Sequence, residues 1–512
     1  MAAPSPRILL ISNAERGQCN VFLATARAIL RADPDVDLHF ASFPALEAEV
    51  QGISDDAKRT KPSTKSISWH SIAGQTHLEA VTAATSKLYP DGEGAETQWG
   101  TPNFVRPLSR SVTMAAIRDI VHCLMGWDGP AFMKVHDSVN DICSKVAPDL
   151  IVVDPLLAPA LTAAWYHESP MCALSPNSIK DAALGGAFPW FLWTYPALMS
   201  GIPFPIPWSR KPLNIFYYFY ALYTLARNQS LRSTLQHVTN ALGRPARTMQ
   251  DVTKSKGPDA LQVFVNTLPE LDFPWLPCPP HVIAGGPIVS RVQPISEADP
   301  ELADWISVAP TIFVNLGTHT KLTEDMAAEF ATALNTSLST MDNRHPGDRP
   351  LQVLWKLKRA GEYDPTAPGS KIHSILKDKI ESNRIRITSW LTPEPLAILQ
   401  TGNIVCFIHH GGANSYNEAV LNGVPHVVLP SWMDCYEYAQ RVEYLGIGRQ
   451  GVRKQVPQVE ASELSRELLT VIDGERSQSM KRKAQEFAAI CKEKGDGADT
   501  VARKMLELAR KS

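Results

Sequence analysis

Residues 403–445 read NIVCFIHHGGANSYNEAVLNGVPHVVLPSWMDCYEYAQRVEYL, and their pattern decides the fold. Ile404 to Ile408 is an unbroken apolar run, as a strand buried on both faces requires. His409 to Ala413 contains two glycines, and a helical pattern begins at Asn414. Strand, tight turn and helix in that order aim unpaired backbone N–H groups and a positive helix end at whatever lies over the turn. Gly411 and Gly412 allow close backbone approach, Asn414 and Ser415 can cap the helix and donate to an anion, and His410 is placed to hydrogen-bond the same anion. Glu418 follows four residues after Asn414, one turn deeper on the same face, where a carboxylate suits a diol. A diphosphate carrying a ribose satisfies all of these placements.

The same grammar recurs outward from this segment. Thr311 to Leu316 reads as a strand, Gly317-Thr318 as its loop, and a helix is expected from about Thr323. Near the N-terminus Ile8 to Ile11 is a strand and Asn13 to Gln18 a polar loop. Asn20 is a candidate cap for a helix over Val21–Arg31, and Leu38 to Ala41 is a second strand. Leu150 to Val153 is a further strand that ends on Asp154, and the polar stretch 52–66 reads as a loop. Nine prolines fall in residues 269–310, where the chain average would place about three. The economical organisation is an N-terminal unit over 1–290, a Pro-containing linker over 291–310, a second α/β unit over 311–476, and helices over 477–512 that could pack back on the first unit.

Composition narrows the function. Across 512 residues, 50 Lys and Arg nearly balance 52 Asp and Glu, so no global field steers the chain to nucleic acid. The eight cysteines are scattered without a CxxC, and no apolar stretch near Met1 is long enough for a signal peptide; both point to the cytoplasm. Residues 182–209 carry no charge, but five prolines from Pro189 to Pro207 argue against a membrane span. Thirteen aromatic residues crowd 188–223, and Phe216 to Tyr220 is apolar around the whole helix, so part of the segment faces a pocket, a partner or a membrane surface. Phe188, Trp190 and Trp193 are the candidate acceptor-pocket residues.

Three other patterns carry less. Gly446 to Gly451 fits GxGxxG but follows a helix instead of a strand. Asp35 to Asp37 reads as a solvated turn. His409 and His410 lack a third metal ligand at suitable spacing.

Residues 390–445 resemble the donor-binding signature of the UDP-dependent glycosyltransferases, the inverting family that includes plant, animal and fungal small-molecule members, and the block around 407–419 most resembles the fungal ones. Trp390 matches the tryptophan that stacks on uracil. His410, Gly412, Asn414 and Ser415 match the diphosphate contacts, Glu418 the ribose contact and Asp434 the sugar contact. Val314 to Thr318 resembles the opening of the family's C-terminal half, adding Gly317 and Thr318 to the donor site, and Arg7 to Leu30 resembles the N-terminal opening. The resemblance implies the α/β GT-B fold, two Rossmann-like domains with parallel sheets facing across a cleft. It implies a UDP-sugar donor, a small lipophilic acceptor, inversion, and neither a metal nor another cofactor.

The chain departs from the family where the chemistry is most exposed. Gln18 occupies the position of the family's catalytic histidine and cannot take a proton at neutral pH. Asp154 matches the aspartate that orients that histidine. The base is therefore Asp154 itself, a histidine among 70, 77, 122, 136 and 167, or no protein group at all if the acceptor is already acidic. Cys435 stands where glutamine often follows the sugar-contacting aspartate, and Trp390-Leu391-Thr392-Pro393 alters the uracil loop. The expectation is a hexosyltransferase, with glucose as donor sugar, acting on a secondary metabolite or xenobiotic. The alternative is a catalytically impaired homologue that binds nucleotide sugar as a partner or sensor.

Overall fold

The computed structural model describes residues 5–92, 94, 99–184, 189–254, 260–274 and 278–511. Two parallel sheets organise the chain. The first joins β1 (Arg7–Ile11), β2 (Asp37–Ser42), β3 (Ser68–Ser71), β4 (Leu150–Val153), β5 (Met171–Ser175), β6 (Gln262–Val265) and β7 (Val282–Ala284) in the order β3-β2-β1-β4-β5-β6-β7. The second joins β8 (Thr311–Asn315), β9 (Gln352–Lys356), β10 (Ile385–Thr388), β11 (Ile404–His409), β12 (His426–Val428) and β13 (Gly448–Gln450) in the order β10-β9-β8-β11-β12-β13. All paired strands are parallel. This is the α/β GT-B architecture expected from the sequence.

Period-two alternation explains why both faces of each sheet are covered. Ile8 and Leu10 of β1 enter one apolar cluster with Phe22 and Ile29, while Leu9 and Ile11 enter another with Phe132 and Val139. In the second sheet Ile312 and Val314 face Trp355 and Ile408, and Phe313 stacks on Phe407 at 4.9 Å on the opposite side.

Each sheet reverses strand order once, between β1 and β4 in the first and between β8 and β11 in the second. In open parallel sheets the crevice at such a reversal is where ligands bind. Asn13 and Asp154 lie just beyond one reversal, and Gly317 and His410 just beyond the other.

Several local expectations change. The first helix spans Arg16–Ala32 with Glu15 at its N-cap, so Gln18 lies in its first turn and Asn20 caps nothing. Most of the polar stretch 52–66 belongs to the helix Glu47–Thr60, because Val50 and Ile53 bury a narrow face beneath an otherwise charged surface. Residues 291–310 include helices Ile295–Ala298 and Pro300–Val308, whose Leu302, Trp305 and Ile306 pack with Phe313 and Leu354. The helix Gly497–Ala509 crosses back to the first sheet, where Val501, Ala502 and Met505 join the cluster of Phe22 and Ile29. Among the described residues no helix is long and apolar enough to cross a membrane.

Candidate active site

The second sheet supplies a neutral, hydrogen-bonding turn. His409 at the end of β11 is buried; its Nδ1 accepts the Gly411 N–H at 3.1 Å, so its Nε2 carries the proton and donates to His426 Nδ1 at 3.0 Å. That pair serves as scaffold for the turn. His410 follows with its ring between two glycines. A Cβ at Gly412 would lie 2.5 Å from His410 Nε2, and one at Gly317, where φ is +83°, would lie 2.8 Å from its Cε1. Only glycine admits the ring from both sides. Burial lowers the His410 pKa to about 4, helped by the charges of His319 and Lys356, so the ring is neutral at neutral pH. Its Nδ1 has no partner among the described residues.

The helix Ala413–Leu421 begins at Gly412, without a side-chain cap. Asn414 and Ser415 are therefore in its first turn and do not cap it, contrary to the sequence reading. Asn414 Nδ2 instead donates to the carbonyl of Arg16 at 3.3 Å, and Ser415 is buried. Glu418 is half-buried, and desolvation, with Glu394 adding to it, raises its carboxyl to about 8. A carboxyl that retains its proton there can donate as well as accept, which suits a pair of hydroxyls.

Two lysines complete this half, and sequence reasoning missed both. Lys356 ends β9, and its ammonium lies 4.7 Å from the Trp390 ring centroid; that of Lys358 lies 5.6 Å away. Lys358 Nζ also donates to Thr318 O at 2.9 Å. Trp390 is 62% exposed, a flat apolar surface beside two cations. The missed signal is Lys-Leu-Lys at the C-terminal end of a buried parallel strand. Asp434 precedes the helix Cys435–Leu445, and burial raises it to about 7, with Asp181 and Glu437 adding to the effect.

The first sheet supplies a carboxylate behind an amide. Asp154 is fully buried; Asn13 Nδ2 donates to its Oδ2 at 3.0 Å and the Leu156 N–H to its Oδ1 at 2.9 Å. Burial overrides these bonds and lifts its pKa to about 7. Asn13 Oδ1 is buried without a partner among the described residues. Gln18 is half-buried in the helix above. None of the histidines considered as bases is hydrogen-bonded to Asp154. His70 pairs with His39 at 2.9 Å, His77 with Cys123 O at 2.7 Å, His122 with Asn228 at 3.3 Å and His136 with Asp137 at 2.9 Å, while His167 accepts from Ser169 at 3.1 Å. Asn13 and Glu15 are the residues of this loop that sequence reasoning passed over. Glu15 Oε1 accepts the Leu78 N–H at 2.8 Å, while its buried Oε2 has no partner among the described residues.

The halves meet through specific contacts. Besides Asn414 to Arg16, the buried Arg441 and Asp272 pair at 3.0 Å, and buried Lys180 pairs with Glu437. Tyr416 Oη donates to Leu271 O at 2.7 Å, and Asn417 Nδ2 to Asn266 O at 3.0 Å. Of the candidate acceptor residues, Trp190 and Trp193 are about half exposed, and Phe188 lies outside the described residues.

Comparison with known proteins agrees with this geometry. Residues 378–494 match the family described as erythromycin biosynthesis protein CIII-like, C-terminal domain. Glycosyltransferase sdnJ of Sordaria araneosa is 33% identical over 482 residues, covering 93% of this chain and 89% of that protein. A 2-hydroxyacylsphingosine 1-beta-galactosyltransferase of Mus musculus is 28% identical over 49% of this chain and 39% of its own length. Among solved structures, a UDP-glucosyltransferase from Polygonum tinctorium that glucosylates indoxyl superposes with a TM-score of 0.64 at 16% identity, over 99% of this chain and 100% of the other. Phytolacca americana UGT2, complexed with UDP-2-fluoro-glucose and pterostilbene, superposes at 0.59 with 18% identity over the full length of both chains. The chain belongs to the UDP-dependent glycosyltransferases of GT-B fold. It is accordingly a glycosyltransferase.

Proposed function

We propose that this enzyme transfers a hexosyl group, glucose in the first instance, to a hydroxyl of a small lipophilic acceptor with inversion, in the cytoplasm, as a step in secondary-metabolite or xenobiotic glycosylation. The observation that carries the reading is the 3.3 Å contact from Asn414, on the anion-binding helix, to the carbonyl of Arg16, the first residue of the helix that follows the Asn13 loop over Asp154. It sets a cradle for a diphosphate against the place where a proton must be taken.

In this reading His410, Asn414, Ser415 and the start of the helix Ala413–Leu421 hold the diphosphate. Gly317 and Thr318 close its loop, Trp390 stacks on the base, Glu418 meets the ribose and Asp434 the sugar. The acceptor oxygen forms a bond to the anomeric carbon as the bond from that carbon to the phosphate oxygen breaks. UDP departs with the electron pair, and the helix end with Lys356 and Lys358 offsets its charge without a divalent ion. The acceptor's proton passes through one intervening water to Asp154, because Asn13 stands between that carboxylate and the cleft, and its pKa of about 7 suits a base at neutral pH. Asp154 sits a layer behind Asn13, too deep to bond the sugar itself, which favours single displacement over a covalent glycosyl intermediate. Gln18 positions the acceptor and exchanges no proton.

Incubation with UDP-α-glucose and a panel of phenols and alicyclic alcohols, read by mass and by the anomeric proton coupling, should return β-glucosides, unchanged by a chelator. UDP binding without transfer from any UDP-sugar would replace this reading with that of an impaired homologue acting as partner or sensor. D154N should abolish transfer while E15Q retains it; the opposite result would move the base to Glu15.

A further inference from the structure

The surface of residues 189–243 is unlike the rest of the molecule. Seven of the large apolar side chains that stand exposed among the described residues fall here: Trp190, Trp193, Trp208, Phe216, Phe219, Leu222 and Tyr223. The helix Lys211–Arg227 explains why. Its inner face sets Asn214 and Tyr217 against Ile117, Ala197 and Ile202, and Asn214 ties down Leu192 and Tyr195 through hydrogen bonds of 2.9 Å. Its outer face then presents Phe216, Phe219 and Tyr223, spaced three and seven residues apart, with Leu222 beside them. Trp208, at the entry to the helix, is 81% exposed and carries the Lys211 ammonium 3.8 Å above its ring.

The charges that this segment itself contributes have one sign. No Asp or Glu occurs from Ala182 to Gln250, a span of 69 residues in which the chain average would place about seven. The same span holds Arg210, Lys211, Arg227, Arg232, Arg244 and Arg247. Arg210 and Lys211 follow Trp208, while Arg227 and Arg232 lie either side of the start of the next helix, Gln229–Leu242. Exposed apolar and amphipathic rings beside Arg210 and Lys211, on a stretch of chain that contributes no carboxylate, are complementary to the headgroup layer of an anionic bilayer.

We propose that the face formed by Trp208 and the outer side of the helix Lys211–Arg227 docks on an anionic lipid surface without crossing it. The segment's inner side leads to the donor half, where Met433, beside Asp434, donates its N–H to Met199 Sδ at 2.8 Å. Docking in this orientation places the bilayer, in which a lipophilic acceptor dissolves, at the edge of the cleft.

Flotation with phosphatidylcholine vesicles, with and without 30% phosphatidylserine, tests the proposal on the full chain. The protein should float with the anionic vesicles, be weakened by 0.5 M salt, and stay unbound with neutral ones. R210E/K211E should lower partitioning by about 25-fold or more, each lost cation accounting for about fivefold. W208S/F219S/Y223S should abolish flotation while transfer to a water-soluble acceptor is unchanged, which separates docking from catalysis. Equal binding to both vesicle types, or unaltered binding by both variants, would overturn the proposal. So would a dimer by light scattering that the triple variant converts to monomer, because the face would then belong to a second copy.

Discussion

Replacing Asp154 by Asn should make the protein more stable at pH 8 and less stable at pH 4. In the folded chain the carboxyl titrates at about 7 against an ordinary 3.8, and the group is fully buried. The fold therefore disfavours the ionised form. Below about pH 4 the carboxyl is protonated in both states and costs nothing. Between pH 4 and 7 the unfolded chain ionises first, and stability falls by about 4 kcal/mol, a loss that is complete above pH 7. Asn removes that loss but has only one acceptor oxygen for the donors now shared between Oδ1 and Oδ2, namely Leu156 N–H on one and Asn13 Nδ2, with the longer Asn13 N–H, on the other. The orphaned donor costs about 1–2 kcal/mol at every pH. The balance is a gain of about 2–3 kcal/mol at pH 8 and a loss of about 1–2 kcal/mol at pH 4. Urea unfolding of both proteins at the two pH values, followed by tryptophan fluorescence, measures the crossing, because other titrating groups cancel in the difference. A difference that does not change between pH 4 and 8 would refute the burial argument. In the same protein kcat should fall by about 10²–10⁴ with UDP affinity unchanged.

Three further outcomes follow from single contacts. G412A would press a methyl group to 2.5 Å from His410 Nε2; displacement of the ring should weaken UDP binding about tenfold by calorimetry, with the far-UV spectrum unchanged. D272N leaves the buried Arg441 guanidinium without its partner at 3.0 Å and should cost about 3–5 kcal/mol in denaturant unfolding. D272N/R441M should recover much of that loss, and a double variant as unstable as the sum of the singles would show that the two do not interact. W390A removes a side chain that is 62% exposed, so its melting temperature should hold while KM for the UDP-sugar rises, with little change in kcat.

What could be read from sequence was what is local. Ile404 to Glu418 is one strand, one turn and one helix, so spacing alone put His410, Asn414 and Glu418 on a common side. Lys356 and Lys358 were invisible by the same measure. They reach Trp390 only because β9 and β10 pair in parallel with Lys356 opposite Thr388, a long-range register no window along the chain contains. The helix Glu47–Thr60 was read partly as loop because its buried face is only a few residues wide. Asp154 shows the limit from the other side. Its place at a strand end was legible, but the chemistry of a carboxyl depends on what covers it. The cover here is Asn13, 141 residues away, in the loop after β1, a strand that lies beside β4 only once the sheet forms. Gln18 in place of histidine looked in sequence like a missing base. In the folded protein the aspartate that would orient such a histidine is instead capped by an amide and desolvated until its own pKa lies near neutrality. The position that lacks a histidine thus coincides with a carboxyl whose surroundings raise its pKa, and the two can be weighed against each other only in three dimensions.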